Sequence, residues 1–265
     1  MNAAAAAGID PRLATRNFCA AAGSYDRAAQ LQQQTREHLL EELFARVAAP
    51  QRLLDLGCGT GLGARALQAR WPQAAVLALD RAPGMARSTR DSGTGTALIG
   101  DAQCLPLATQ SCDAILSNLV LQWCPQPQRA LDECARVLRP GGRLLFSVPG
   151  PATLQELRSA WRCIDDAEHV HRFDPAAAWA QRAGQAGLQV ELLQTVELRQ
   201  FHADVRRLMQ GLRDIGARNS SAQRRRGLLG RTTLQRLAAA YAPWTTDAGV
   251  SATWDIVYAV LRRPA

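Results

Sequence analysis

No lysine occurs in the 265 residues, and all 31 basic side chains are arginine. Every cation is therefore a planar fork suited to a carboxylate or a phosphate. Aromatic residues are scarce, at 5%, which argues against a surface that stacks single-stranded bases and so against a nucleic-acid partner. No C-x-x-C pair occurs, and the seven cysteines are odd in number. That pattern predicts free thiols rather than a disulfide framework or a zinc site. No apolar run approaches the ~20 residues of a membrane-spanning helix. The opening MNAAAAAGIDPRL lacks a basic start and a strong apolar stretch, so it reads as a loose tail rather than a signal peptide. Together these absences predict a cytoplasmic protein without a membrane partner.

What is present is an alternating rhythm. RLLDLG (52–57), AAVLALD (74–80), TALIG (96–100), CDAILSN (112–118) and GRLLFSV (142–148) have the continuous apolar character of strands buried on both faces. GARALQARW (63–71), APGMARSTR (82–90) and PQRALDECARVL (127–138) read as the helices between them, the last stopped by RPGG. The alternation predicts an α/β fold with a mostly parallel sheet, whose ligands sit at the carboxyl ends of the strands. LQQQTREHLLEELFARV (31–47) is a leading helix. After Pro149 the rhythm breaks into helices at 153–167 and 174–187, a strand at 188–198, a helical region at 202–242 and a final strand at 252–263. The expected organisation is a tail and helix over 1–50 that close over a ligand site, and an α/β core over 51–150. A helical cap then spans 151–174 and 199–250, with 175–198 and 251–265 completing the core.

The segment LLDLGCGTGLG joins the first strand to its helix. Gly59-Thr60-Gly61-Leu62-Gly63-Ala64 fits the G-x-G-x-x-A dinucleotide pattern, which is weak by itself. Asp55, Gly57, Gly59 and Gly61 fit a different one, the D-x-G-x-G-x-G loop of class I S-adenosylmethionine (SAM) methyltransferases. Charge separates the two. A pyrophosphate wants bare N–H groups without a nearby anion, whereas the sulfonium and ammonium of SAM favour an acid at the strand end. Asp55 is such an acid. Asp80 ends the second strand, where a carboxylate accepts from ribose hydroxyls in either cofactor. Asp101, followed by Ala102, ends the third, where methyltransferases place an acceptor for the adenine amino group; the bland alternative for such an Asp alone is a helix N-cap. Met85 stands where it packs on the adenine. The set favours SAM and a Rossmann-like, seven-stranded, mostly parallel sheet.

Four further segments carry a more specific resemblance: AAGSYDRAAQLQQQ (21–34), LPLATQSCDAILSNLVLQWC (105–124), TLQELRSAWRCIDDAEHVHRF (153–173) and MQGLRDIGARN (209–219). Over about residues 15–262 the chain resembles the malonyl-[acyl-carrier protein] O-methyltransferases of biotin synthesis, the BioC family. His171, the ends of DIGARN, Arg81 beside the ribose acid and a very basic 221–231 depart from that pattern. The resemblance implies methyl transfer to the free carboxylate of a malonyl thioester, with malonyl-phosphopantetheine on an acyl carrier protein as the partner. A malonyl carboxylate is already ionised, so no general base is needed, and the sequence offers no His/Asp pair that demands one.

The acceptor candidates that follow are Tyr25, Asn118, Trp123, His171 and Arg172. Arg172 is the leading candidate to grip the carboxylate, since a guanidinium matches a carboxylate in two hydrogen bonds. Tyr25 and Trp123 fit ordinary packing as well. His169 and His171, two apart with no Cys or Asp partner evident, assign no metal. Between Gly211 and Arg231 the chain has six arginines and one acid. With Arg206 and Arg207, the arginines Arg213, Arg218, Arg224, Arg225 and Arg226 form a candidate docking face for an acidic carrier; a solubilising helix face is the plainer reading. Two other functions remain open on the sequence: methylation of a free small acid such as aconitate, and RNA methylation using the net charge of +8. Against the RNA reading, Ser117-Asn118-Leu119-Val120 stands where a base-handling tetrapeptide belongs.

Overall fold

The computed structural model describes residues 8–221 and 230–265. Three helices lead: α1 (Pro11–Ala21), the single turn α2 (Tyr25–Ala28) and α3 (Gln30–Arg46). The core alternates β1 (Arg52–Leu56), α4 (Leu62–Arg70), β2 (Ala75–Asp80), α5 (Pro83–Asp91), β3 (Thr96–Ile99), β4 (Cys112–Asn118), α6 (Pro127–Val137) and β5 (Leu138–Pro149). The remainder is α7 (Gln155–Arg162), α8 (Ala176–Gln185), β6 (Gln189–His202), α9 (Val205–Asp214), α10 (Arg231–Ala240), β7 (Thr245–Thr246) and β8 (Gly249–Arg262). The sheet runs β3-β2-β1-β4-β5-β8-β6, and the two-residue β7 pairs with β8 off this path. β3, β2, β1, β4 and β5 are parallel, while β8 is antiparallel to β5 and β6.

Alternate residues of the strands enter separate cores. Leu53, Leu116 and Leu145 pack with α3, α4 and α7 on one face, and Leu54, Ile115 and Phe146 pack with α6 and α8 on the other. Both faces are covered, which is why these strands read as unbroken apolar runs. Each fully buried leucine contributes about 2 kcal/mol.

Several boundaries differ from the sequence reading. Residues 11–13 are helical rather than tail, because Asp10 accepts from the amides of Arg12 and Leu13 and Pro11 opens the first turn. β5 starts at Leu138 and runs through the Arg-Pro-Gly-Gly expected to be a stop, since Cys112 pairs with Leu138 before a register shift. β6 continues to His202, because its partner β8 starts early, at Gly249. Among the described residues, the region expected to be helical over 202–242 holds α9 and α10, and 215–221 is not helical.

The cap is pinned to the sheet by a buried acid. Glu156 of α7 is 3% exposed and accepts from the amide of Thr253 at 3.1 Å, from the Thr253 hydroxyl and from Ser251 Oγ at 3.4 Å. Removing the carboxylate orphans buried donors, a loss of about 1–3 kcal/mol. Glu156→Ala therefore lowers the melting temperature by roughly 3–10 °C for a chain of this length. Calorimetric melting checks this, and an unchanged midpoint would contradict it.

Candidate active site

The strand ends build the first cavity. The amides of Gly57 and Cys58 donate to the Leu79 carbonyl at 2.7 and 3.0 Å, so the loop after β1 crosses the end of β2. Gly57 and Gly59 turn there at φ of +73° and +56°, conformations costly for other residues. A Cβ at Gly57 would overlap the Val120 side chain, whereas at Gly59 it would meet nothing nearer than Tyr25, 3.9 Å away. Gly57 and Gly59 border a cavity of about 100 Å³ together with Asp80, Met85, Asp101 and Ala102. Gly61 does not; at φ +87° it starts α4 and lies against Thr89.

Three acids were expected here, and the fold uses them differently. Asp80 accepts from Gly59 N–H at 3.0 Å and Ala82 N–H at 2.7 Å, one on each oxygen, with the outer lone pairs left over. Burial raises its pKa, against the pull of those amides. Asp55 is not part of the cavity wall. It lies beneath the loop, 4% exposed, against Gly63, and its Oδ2 has no hydrogen-bond partner. Burial lifts its pKa to about 7, while the Ala64 amide and the Arg36 guanidinium pull it down. Asp101 falls two residues past β3 and caps no helix: Oδ1 accepts from the amide and side chain of Gln103, and Oδ2 lies 3.2 Å from Arg81.

These residues fit SAM. Burial disfavours the ionised Asp55 even with Arg36 nearby, so a cationic ligand is favoured, and an acceptor pair at the end of β2 suits ribose hydroxyls. When bound, SAM supplies an electrophilic methyl on a sulfonium.

Helices α1 and α2 roof this cavity. Pro11, Ala14, Thr15 and Phe18 line it from α1 and Tyr25 from α2. Thr60 in the glycine loop donates to Asp26 at 2.6 Å, tying α2 down. Burial, and secondarily Asp80, push the Tyr25 phenol upward, so it stays protonated.

A second cavity of about 370 Å³ adjoins the first, and Phe18, Tyr25, Leu119 and Trp123 belong to both walls. Leu119 sits at φ +55°, which turns the chain sharply after β4 and carries its side chain to the junction. The rest of the wall is mainly apolar, from Leu31, Leu157, Trp161, Met209, Leu212 and Trp254. Arg213 and Arg218 also line it. Arg213 reaches Gln210 Oε1 at 3.4 Å, and neither arginine pairs with a carboxylate among the described residues.

The acceptor candidates divide. Trp123 and Tyr25 stand at the junction. Asn118 borders the first cavity, but its amide is committed: Nδ2 donates to the Gln32 carbonyl at 2.8 Å and Oδ1 accepts from Ser147 at 2.7 Å. It fastens α3 to β4. His171 is buried, edge-on to Trp123 at 5.6 Å, and Nε2 accepts from the Ser220 amide at 3.0 Å. Burial lowers its pKa to about 4, so it is neutral and a hydrogen-bond acceptor. Arg172 is exposed and absent from both walls, because the chain turns His171 inward and its neighbour outward. A His/Asp pair does exist: His169 Nε2 is 2.7 Å from Asp165 and its ring stacks on Trp161 at 3.6 Å. At i, i+4 it was visible in the sequence; the stack was not. Among the described residues no cluster of three or more His, Cys, Asp or Glu could hold a metal. No helix among them is long and apolar enough to cross a membrane.

Sequence reasoning missed Phe18 and Leu119. The Asp10-Pro11 helix start was a usable signal for Phe18. Nothing local marked Leu119.

The Asp55 environment sets a pH dependence. Its carboxyl is neutral below about pH 7 and ionised above, and a cationic ligand favours the ionised form. Binding therefore lowers its pKa and releases a proton. Titration calorimetry in buffers of different ionisation enthalpy should show proton release on SAM binding near pH 6.5, with affinity rising toward pH 8. Asp55→Asn should abolish both. Proton-neutral binding by the parent would refute the assignment.

Comparison with known proteins agrees with this geometry. A methyltransferase-domain family matches residues 54–146. A Bacillus halodurans protein described as a methyltransferase superposes with a TM-score of 0.64 at 18% identity, over 88% of this chain and all of that one. The YcgJ protein of Bacillus subtilis gives 0.61 at 18% identity, over 86% of this chain and 99% of that one; at these identities the likeness shows the fold. Among curated relatives, the malonyl-[acyl-carrier protein] O-methyltransferase of Methylococcus capsulatus is 42% identical over 93% of this chain and 92% of its own. That of Laribacter hongkongensis is 40% identical, over 94% of this chain and 88% of its own. The bifunctional biotin biosynthesis protein BioHC of Cellvibrio japonicus is 38% identical over 98% of this chain, which spans 51% of that protein. The loop, the acids and full-length likeness point the same way, and the chain belongs to the malonyl-[acyl-carrier protein] O-methyltransferase family of SAM-dependent methyltransferases.

Proposed function

We propose that this enzyme methylates the free carboxylate of a malonyl thioester carried on an acyl carrier protein, the masking step of biotin synthesis. The observation that carries the reading is the pair Arg213 and Arg218, two arginines with no carboxylate partner among the described residues, in the wall of a mainly apolar cavity that meets the cofactor cavity. Arg213 is half-buried and Arg218 exposed, so both guanidinium groups are available to pair with an anionic ligand. Arg172, favoured on sequence grounds, lies outside the cavity, and Arg213 and Arg218 replace it.

The carboxylate has no proton to remove, so the chain's contribution is to hold and to desolvate. The arginines fix one end of the acceptor. Phe18, Leu119 and Trp123 exclude water at the junction, which strengthens attack by an otherwise hydrated anion. Orientation of this kind is worth several kcal/mol. His169 and Asp165 are not required as a base; the His169 ring, held by Asp165, stacks on Trp161 in the wall. Arg213→Ala and Arg218→Ala each remove a charge-assisted pair worth about 1.5–3 kcal/mol. Each should raise KM for the malonyl thioester roughly 10- to 100-fold while SAM affinity stays within about twofold. Steady-state kinetics with labelled SAM measure this, and an unchanged KM in both variants would remove the arginines from the acceptor site.

The carrier-docking face lies on the same helix. Arg206 and Arg207 are exposed on α9, while Met209, Leu212 and Arg213 of that helix line the cavity. Arg224, Arg225 and Arg226 lie outside the described residues. Positive charge beside the entrance speeds encounter with an acidic carrier, and salt weakens it. The double variant Arg206→Glu/Arg207→Glu should lose about tenfold in kcat/KM toward malonyl carrier protein at low salt. The deficit should shrink at high salt, and malonyl-CoA should suffer less. Equal losses on both substrates would locate the docking face elsewhere.

A further inference from the structure

Ser220 is completely buried, and every hydrogen-bonding group it has is used. Its N–H donates to His171 Nε2 at 3.0 Å, and its carbonyl accepts from the Asp10 amide at 2.8 Å. Its hydroxyl accepts from Asn17 Nδ2 at 3.2 Å and donates to the Arg218 carbonyl at 3.2 Å. Those partners come from three parts of the molecule. Asp10 and Asn17 belong to α1 and its cap, the roof of the cofactor cavity. His171 packs on Trp123 at the junction. Arg218 is in the wall of the second cavity.

Neighbouring contacts follow the same seam. Ser24, ahead of α2, donates to the Asp214 carbonyl at 2.8 Å. Gly216, at φ +74°, lies so close to α1 that a Cβ would sit 3.1 Å from the Asn17 carbonyl. Helices α1 and α2 cover a cavity of about 100 Å³, and lifting α1 would widen the way in for a nucleoside-bearing cofactor. Lifting α1 breaks the Asp10 and Asn17 bonds to Ser220 and leaves buried polar groups unpaired. It also removes Phe18, one of the walls the two cavities share. A buried polar cluster of this kind is stable when fully made and unfavourable when half made, so roof and loop open and close together.

We propose that Ser220 is a positioning residue that couples the two cavities. Seating α1 over the cofactor sets the 214–221 loop, and with it Arg218, for the acceptor; an acceptor held there keeps α1 closed. Phe18 of α1 completes the wall of the acceptor cavity, so whatever holds α1 down also holds that cavity together. Coupling between binding sites is reciprocal. The link from α1 to the loop stands on the contacts alone, whereas its effect on the acceptor rests on the reading of Arg218 given above.

The experiment separates those two parts. Amide hydrogen exchange is followed with and without S-adenosylhomocysteine in the parent, Ser220→Ala and Asn17→Ala. In the parent the ligand should slow exchange in both 11–21 and 214–221 by about fivefold or more. In the two alanine variants only 11–21 should slow. Equal slowing of 214–221 in parent and alanine variants, or none in the parent, overturns the proposal. In a second arm, S-adenosylhomocysteine should tighten malonyl-pantetheine binding about fivefold in the parent and less than about twofold in the alanine variants. Should malonyl-pantetheine fail to bind the parent while the exchange result holds, the acceptor reading falls and the coupling stands.

Discussion

One crossing organises the molecule: the glycine loop that leaves β1 and lies across the end of β2. Two amides on the Leu79 carbonyl and a third on Asp80 hold it there. The path needs left-handed residues, and at Gly57 it leaves no room for a side chain beside Val120. Once made, it exposes Gly59 and Asp80 to one cavity and buries Asp55 below. It also sets the start of α4, and Thr60 within it anchors α2 of the roof. A shift of this crossing moves the cofactor wall, the buried charge and the roof together.

Charge is handled by two opposite devices. Under the cofactor cavity an acid is buried, and its proton affinity rises, against the pull of the Arg36 guanidinium, until it titrates near neutrality. In the wall of the acceptor cavity two arginines, Arg213 and Arg218, have no carboxylate partner among the described residues. Each half favours the charge its ligand brings. A cationic cofactor and an anionic acceptor complement them, and ligands of the reversed charges would meet like charge in both places. The absence of lysine sharpens the second half, since a planar guanidinium holds a carboxylate in a defined orientation.

The acceptor side shows how position decides role among similar residues. His169 and His171 are two apart, yet one stacks on Trp161 beside Asp165 and the other accepts from Ser220. Arg172 follows immediately and points to solvent. Asn118 stands at the end of β4, in the right place for chemistry, and spends both ends of its amide joining α3 to the sheet.

Local chemistry determined much by itself. Glycines spaced two apart behind Asp55, strand-length apolar runs and acids at strand ends are readable because they depend on neighbours within a few residues. They carried the α/β architecture and the cofactor class. The Asp10-Pro11 start of α1 was equally local and equally readable. Which arginine reaches the acceptor cavity, and which serine joins roof to cap, depended on contacts such as Asn17 to Ser220, about 200 positions apart. Composition and periodicity hold no information on such pairs. The direction of Arg172 relative to Arg213 and Arg218 is fixed only when α7, α9 and α1 pack around the sheet, because burial of whole helix faces, not the arginines' own preferences, sets where each guanidinium points.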